Sequence, residues 1–244
     1  MKDLIAKIPS RFKDIELLGK GGMGAVFKAR DITLDRNVAL KVILPRFARR
    51  PNVQEHLLQE ARVAARLRHP GIVQVHDCGQ EQSQLYIVME FIPGDNLYQM
   101  LRDMKKQAKW LSLDEAVETV RQVCLAVDYA HRQGVLHRDI KPGNIMLEPE
   151  PSGSLTHRPV LTDLGLARLI KDQSTGDTDS SGTPPYMSPE QTLGQPTDAR
   201  SDVYSLGVLL YELVVGRLPF PAKNRSFSCS REINPSEDQL FSNN

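Results

Sequence analysis

Residues 137–144 read HRDIKPGN, and this stretch decides how the rest of the chain is interpreted. Five polar side chains occupy these eight positions, directly after an apolar segment and before a short β-rich one. An ordinary structural loop does not need that density of polar groups. Phosphoryl transfer does, because it takes a carboxylate to orient a hydroxyl, a cation for the moving phosphate and an amide oxygen for a metal. Asp139, Lys141 and Asn144 would supply these three groups.

A second acidic signal follows this loop. Asp163 opens the triplet Asp-Leu-Gly, 19 residues after Asn144 and directly after a β-rich segment at 160–162. In isolation the triplet would indicate only a turn. Mg²⁺ prefers few carboxylates together with phosphate oxygens. Asn144 and Asp163 fit that preference, and we expect them to share a metal site.

A glycine cluster stands near the N-terminus, between two strand-like segments. A dinucleotide-binding fold would place a helix after these glycines and an acidic residue later, but here a strand and then a lysine follow. The GK[ST] ending of a P-loop is also missing. The cluster therefore predicts either a loop that closes over phosphates or a glycine-rich hairpin turn. Its glycines are Gly19, Gly21, Gly22 and Gly24.

Lys41 lies in the middle of the apolar stretch VALKV at 38–42. Burying an ammonium group without a partner is costly, so we expect an anionic partner. Glu60 on the following helical segment could serve, as could nucleotide phosphates. The alternative is a lysine on an edge strand that faces water.

The hydrophobic pattern changes along the chain. The N-terminal part is strand-rich with one helical segment, and the C-terminal part is mainly helical. Ser112 and Glu115 predict a capping box at the start of one helix. Residues 92–96 therefore read as a hinge between two lobes, in an α+β fold. Strands are predicted at 15–18, 25–29, 38–44, 72–76, 85–91, 145–147 and 160–162, and helices at 53–67, 116–130 and 203–215.

The composition excludes several classes of protein. A net charge of +1 over 244 residues gives no reason to expect nucleic acid or an anionic membrane as the main partner. The three cysteines are Cys78, Cys124 and Cys229, and their odd number and wide spacing fit neither a disulfide framework nor a CxxC metal site. We expect reduced thiols and a cytoplasmic location. We expect no signal peptide and no membrane segment in this chain.

Together and in order, these motifs resemble the catalytic domain of eukaryotic-type (Hanks-type) serine/threonine protein kinases, in their bacterial form. The resemblance includes GTPPYMSPE at 182–190 and SDVYSLG at 201–207. Lys141 and Thr183 resemble the Ser/Thr branch. The resemblance implies a bilobal fold over residues 12–220. The N-lobe (12–91) would be an antiparallel sheet with one helix, and the C-lobe (92–220) would be helical and incomplete.

The resemblance also implies a role for each motif, with ATP and Mg²⁺ as cofactors. Asp139 would orient the substrate hydroxyl, Lys141 would neutralise the γ-phosphate, and Lys41 would contact the phosphates while paired with Glu60. Asn144 and Asp163 would hold Mg²⁺. The glycines would cover the phosphates, and Met89 would stand beside the adenine as gatekeeper. The remaining nucleotide contacts would come from Val26, Ala39, Glu90, Ile92 and Met146.

Regulation and the C-terminal end complete the expectations. Arg138 would pair with a segment at 171–183 phosphorylated on Ser or Thr, and self-association would serve autophosphorylation. Protein Ser/Thr hydroxyls are the expected substrates.

Residues 221–244 read as an atypical, disordered polar tail after a truncated C-lobe, which would leave Glu190 without its arginine partner. An inactive nucleotide-binding scaffold and a fragment unable to fold stay open as alternatives.

Overall fold

The computed structural model describes residues 8–21, 24–45, 51–82, 84–150, 156–164 and 185–220. Several predictions fall on other positions and lie outside the described residues. They concern Gly22, Gly165, Thr183, the phosphorylation candidates at 171–183, and the tail at 221–244.

Five antiparallel strands form the N-terminal sheet in the order β1-β2-β3-β5-β4. The third strand is central and buried on both faces, which explains its continuous apolar stretch. Ala39 and Ile43 pack on one face with a helix, whereas Val38, Leu40 and Val42 pack on the other. The elements are β1 (Phe12–Lys20), β2 (Gly24–Asp31), β3 (Arg36–Ile43), α1 (Pro51–Ala64), β4 (Val75–Glu81) and β5 (Gln84–Glu90).

Helices dominate the second lobe, as the sequence predicts. The capping box of α3 is confirmed: Glu115 N–H donates to Ser112 Oγ (3.2 Å), and Ser112 N–H donates to the Glu115 carboxylate (2.8 Å). None of the described helices is long and apolar enough to cross a lipid bilayer. The elements are α2 (Leu97–Lys106), α3 (Leu113–Arg132), a 3₁₀ turn (Pro142–Asn144), β6 (Ile145–Pro149), β7 (His157–Leu161), α4 (Pro189–Thr192) and α5 (Ala199–Val215).

The strand predicted at 72–76 was placed wrongly, since β4 begins only at Val75. Residues 71–73, which precede β4, instead form backbone hydrogen bonds with the second lobe. Val73 N–H donates to the Leu161 carbonyl (2.9 Å), and Leu161 N–H donates to the Gly71 carbonyl (2.8 Å). The backbone of this segment therefore pairs with the end of β7 in the second lobe before the chain enters the sheet.

Helix α5 is buried along one side only. Leu206, Leu209 and Leu213 belong to the same core as α3, whereas Val203 is 60% exposed. The expectation that Glu190 lacks an arginine partner stays a prediction, but its carboxylate is hydrogen-bonded: the hydroxyl of Ser201, in the first turn of α5, donates to it. This bond holds the pKa of Glu190 below its usual value. The remaining apolar side chains exposed on α5 are Leu210, Tyr211, Val214 and Val215.

Candidate active site

Asp139 is the centre of a compact polar cluster. The Lys141 ammonium lies 2.7 Å from its Oδ2. Asn144 Nδ2 donates both to the same oxygen and to the Asp139 carbonyl, each at 2.8 Å. The 3₁₀ turn that begins at Pro142 folds the chain back and makes these contacts local, with proline in its favoured first position. The structure thus brings together the three groups that the sequence predicts.

The loop that carries Asp139 is anchored to α5 by one buried carboxylate. Asp202 is fully buried, and it accepts hydrogen bonds from the backbone N–H groups of His137 (2.9 Å) and Arg138 (2.7 Å). A third contact joins it to His131 Nε2 on α3 (2.7 Å). A buried carboxylate is stable only when it is satisfied in this way. Asp202 therefore fixes the position of the loop at 137–144, which carries Asp139.

His137 connects the same loop to the end of β7. Its Nδ1 accepts the N–H of Asp139 (3.2 Å), so the ring proton must sit on Nε2, which donates to the Thr162 carbonyl (3.0 Å). Burial lowers the pKa of His137 against the opposing charges of Asp202 and Asp139. The neutral ring therefore spans Asp139 and the residue that precedes Asp163.

Lys41 forms an ion pair with Asp163, with 2.8 Å between Nζ and Oδ1. Burial acts to raise the pKa of Asp163, but the charge and hydrogen bond of Lys41 outweigh it and hold that pKa below its usual value. Lys41 is only 7% exposed, so the expected anionic partner is present. The alternative of a water-facing edge lysine was wrong, because β3 is central in the sheet.

The partner of Lys41 differs from the predicted one. Glu60 forms no ion pair among the described residues, and Asp163 occupies the position beside the ammonium. The physical reason is that one buried cation needs one close anion, and Asp163 lies within reach from the end of β7. The pairing of Lys41 with Glu60 is therefore corrected for this structure, and a catalytic role for Glu60 stays a prediction.

The two predicted magnesium ligands lie on adjoining backbone segments. Thr162 N–H and Oγ1 both donate to the Asn144 carbonyl, at 2.9 and 3.2 Å. Asn144 uses its amide nitrogen toward Asp139, which leaves the amide oxygen as the atom a metal would need. The described residues hold no group of three or more His, Cys, Asp or Glu side chains suited to a metal ion. One amide oxygen and one carboxylate suit Mg²⁺ that takes its other ligands from phosphates and water.

The glycine cluster lies between β1 and β2, where Gly21 N–H donates to the Gly24 carbonyl (2.8 Å). Glycine is required at these positions for different physical reasons. A Cβ on Gly24 would lie 2.1 Å from the Val42 carbonyl oxygen, so β3 itself excludes a side chain there. A Cβ on Gly19 or Gly21 would meet no atom within 4 Å. Open space above these two residues is what a phosphate-covering loop requires.

The predicted adenine contacts share one apolar cluster. Ala39, Met89 and Ile92 are buried in it, and Val26 and Met146 pack against it half-buried. Ala39 and Met89 face each other across β3 and β5. Glu90 N–H already donates to the Gln74 carbonyl (2.9 Å). Any adenine contact of Glu90 must therefore use its carbonyl oxygen.

Comparison with known proteins was decisive for the family. The sequence profile described as "Protein kinase domain" matches residues 12–241. The chain belongs to the protein kinase family. The match continues past residue 220, where the sequence analysis ends the domain, and that division stays a prediction.

Bacterial serine/threonine protein kinases are among the relatives of this chain. PknB of Mycobacterium tuberculosis (strain H37Rv) is 40% identical over 220 residues, which cover 87% of this chain and 34% of PknB. PknJ of Mycobacterium bovis is 42% identical over 207 residues, 84% of this chain and 34% of PknJ. The chain thus spans about a third of the length of these relatives. The crystal structure of the Mycobacterium tuberculosis PknI kinase domain superposes with a TM-score of 0.69 at 31% identity, covering 91% of this chain and 82% of that one.

This kinase domain also uses residues that the sequence analysis did not single out. Asp202 lay inside a recognised motif, but no role was assigned to it. Its signal was an acidic residue directly before the mainly apolar helical stretch at 203–215. His131 gave no such signal, because ordinary helical sequence surrounds it, and Gln191 gave none because it lies in a helix of only four residues.

Proposed function

We propose that this chain is a serine/threonine protein kinase, which transfers the γ-phosphate of ATP to Ser or Thr hydroxyl groups of proteins. The single observation that supports this most strongly is the joint placement of Asp139, Lys141 and Asn144 in one hydrogen-bonded cluster. Lys141, two residues after Asp139, and the serine/threonine kinases among the relatives favour hydroxyl acceptors of this kind.

The reacting groups have distinct tasks. The Asp139 carboxylate orients the acceptor hydroxyl and takes its proton as the oxygen attacks the γ-phosphorus, while the bond to the β-phosphate breaks and ADP leaves. Lys141, already 2.7 Å from that carboxylate, neutralises charge on the moving phosphoryl group. Mg²⁺ held by Asn144 and Asp163 would supply charge neutralisation at the phosphates. Lys41 would contact the α- and β-phosphates from β3.

The nucleotide would lie between the two lobes. Gly19, Gly21 and Gly22 would cover its phosphates, since the described part of this loop leaves open space. Val26, Ala39 and Met146 would enclose the purine, with Met89 beside it. The carbonyl of Glu90 and the backbone of Ile92 would hydrogen-bond the adenine edge.

Partners and setting follow from the same reaction. Proteins are the proposed substrates, and self-association would allow one copy to phosphorylate residues 171–183 of another. Arg138 Nε lies 3.3 Å from Thr197 Oγ1, and we propose that this guanidinium pairs with such a phosphate group. A cytoplasmic location is proposed because ATP is the donor and because Cys78 and Cys124 are free thiols.

Transfer of ³²P from labelled ATP to a general protein substrate tests the proposal. Wild type should label the substrate, and Asp139→Asn should lower kcat by roughly 10²–10⁴-fold. Asp128→Asn is the matched control, because Asp128 forms a surface ion pair with Arg132 on α3, and it should retain full activity.

The alternatives give other outcomes. A cooperative thermal transition that Mg-ATP raises, without transfer, would support a nucleotide-binding scaffold and contradict the proposed activity. Absence of any cooperative transition would indicate a fragment that does not fold alone. Transfer that persists in Asp139→Asn would reject the assigned role of Asp139.

A further inference from the structure

Arg138, the residue before Asp139, has an unusual backbone conformation. Its φ angle is 65°, in the left-handed region that residues with a side chain rarely adopt. Such a conformation persists only where the surroundings hold it. The orientation of the peptide group between Arg138 and Asp139 therefore depends on what binds it.

Both backbone polar groups of Arg138 are bound by side chains from elsewhere in the fold. Its N–H donates to Asp202 Oδ1 from α5, and its carbonyl accepts from Gln191 Nε2 of α4, both at 2.7 Å. The carbonyl of Arg138 and the N–H of Asp139 belong to one planar peptide group. Fixing the carbonyl therefore also aims the Asp139 N–H at His137 Nδ1.

Gln191 can make this contact in only one orientation. It is 7% exposed, and its Oε1 accepts from the Ser188 N–H (3.0 Å) and hydroxyl (3.3 Å). A flipped amide would set its NH₂ against the Ser188 N–H and its oxygen against the Arg138 carbonyl. The capping contact with Ser188 thus orients the amide nitrogen toward Arg138.

We propose that Gln191 is a positioning residue for phosphoryl transfer. Through the Arg138 carbonyl it sets the peptide that carries Asp139, and so couples α4 to the catalytic carboxylate. Asp202 binds the backbone N–H of Arg138, on the opposite side of that residue. This inference rests on the proposed kinase function, since its kinetic effect is on the step that Asp139 serves.

The isosteric variant Gln191→Glu separates positioning from helix capping. A carboxylate at this position still accepts the Ser188 N–H, but it sets an oxygen opposite the Arg138 carbonyl. Gln99→Glu is the matched control. Gln99 Oε1 makes the same capping contact with the Asn96 N–H (3.0 Å) on α2, and among the described residues the Gln99 side chain has no bond to the loop at 137–144.

Steady-state kinetics of the full chain provide the first readout. Gln191→Glu should lower kcat by about 10–100-fold, because misplacing a reacting group is costly. The KM for Mg-ATP should stay within about twofold, since ground-state nucleotide binding does not involve this peptide. Gln99→Glu should match wild type in both constants. A wild-type kcat for Gln191→Glu, or a loss confined to KM, would overturn the proposal.

Hydrogen–deuterium exchange provides a readout that does not need activity. Amides at 137–140 should exchange faster in Gln191→Glu and at the wild-type rate in Gln99→Glu. If the wild type transfers no phosphate, the proposed function fails while this comparison still decides whether Gln191 holds the loop. If Gln191→Glu does not fold, Gln191→Met replaces it with the same expected exchange pattern. Unchanged exchange at 137–140 would reject the coupling.

Discussion

The phenol hydroxyl of Tyr186 donates a hydrogen bond to the carboxylate of Glu212, and so ties the segment before α4 to α5. Burial raises the pKa of Glu212, and the bond from Tyr186 and the charge of Lys105 oppose this only in part. A carboxyl with a raised pKa binds its proton more tightly in the folded chain. Its contribution to the free energy of unfolding is therefore present below the unfolded pKa and lost as pH rises through the folded one.

Glu212→Gln tests this relationship, because the amide resembles the protonated carboxyl and can still accept from Tyr186. We expect the variant to unfold at a higher temperature than wild type near pH 7, and the difference to shrink as the pH falls toward about 4. Thermal unfolding followed across this pH range measures it.

Glu115→Gln is the matched control with the opposite sign. Hydrogen bonds from the Ser112 N–H and hydroxyl hold the pKa of Glu115 below its usual value. This carboxylate stabilises the fold above its unfolded pKa, and that contribution is lost as the pH falls through its folded pKa. The variant should be less stable than wild type near pH 7 and approach it in acid. If the stability difference from wild type changed with pH in the same direction for both variants, the raised pKa of Glu212 would be contradicted.

The Lys41–Asp163 pair predicts a specific energetic coupling. Lys41→Met leaves the Asp163 carboxylate without its cation, and Asp163→Asn leaves the ammonium without its anion. Each change should destabilise the fold and abolish transfer. Removing both should cost less than the sum of the two, with a coupling free energy of about 0.5–3 kcal/mol from urea denaturation.

A second double-mutant cycle, on a surface ion pair, provides the reference for this coupling free energy. Arg200 and Asp198 form an ion pair on the surface, where such pairs contribute little to stability. Arg200→Met with Asp198→Asn should therefore give a much smaller coupling. Additive effects for Lys41 and Asp163 would show that the two groups do not depend on one another.

Replacing Asp202, which anchors the loop at 137–144, should affect both stability and activity. Asp202→Asn sets an NH₂ group where the carboxylate accepts from His137, Arg138 and His131. We expect a loss of about 3–5 kcal/mol in the free energy of unfolding, as for breaking a buried charge network. Denaturant titration gives this value, and Asp198→Asn, an exposed N-cap on the same helix, should lose much less. A wild-type denaturation midpoint for Asp202→Asn would exclude the anchoring role.

Contacts between site residues could be predicted from the sequence where those residues lie close together in the chain. Asp139, Lys141 and Asn144 lie within six residues, and their spacing alone brought them together correctly. Asp202 and Gln191 contact the same loop across separations of 65 and 53 residues. No local pattern encodes such contacts, since they depend on how α4 and α5 pack against it. The partner of Lys41 was missed for the same reason: the sequence offered Glu60 or nucleotide phosphates as partners, and only the packed lobes show that Asp163 lies within reach.

Two glycines between β1 and β2 predict different effects of substitution: a loss of stability at Gly24 and a loss of nucleotide affinity at Gly21. Gly24→Ala places a Cβ 2.1 Å from the Val42 carbonyl oxygen, so β2 or β3 must move and their pairing must weaken. Gly21→Ala meets no atom within 4 Å and should fold normally. If the space above Gly21 serves phosphates, the added methyl group should instead raise the KM for Mg-ATP.

Thermal unfolding and ATP titration of the two variants separate these effects. Gly24→Ala should lower the free energy of unfolding by about 1–3 kcal/mol, as expected for an overpacked site, and Gly21→Ala should leave it within about 0.5 kcal/mol of wild type. The KM for Mg-ATP should rise in Gly21→Ala. Equal stability losses in both would mean that the turn is uniformly strained. An unchanged KM in Gly21→Ala would favour the glycine-rich hairpin over a phosphate-covering loop, because a methyl group directed at bound phosphates cannot leave their affinity untouched.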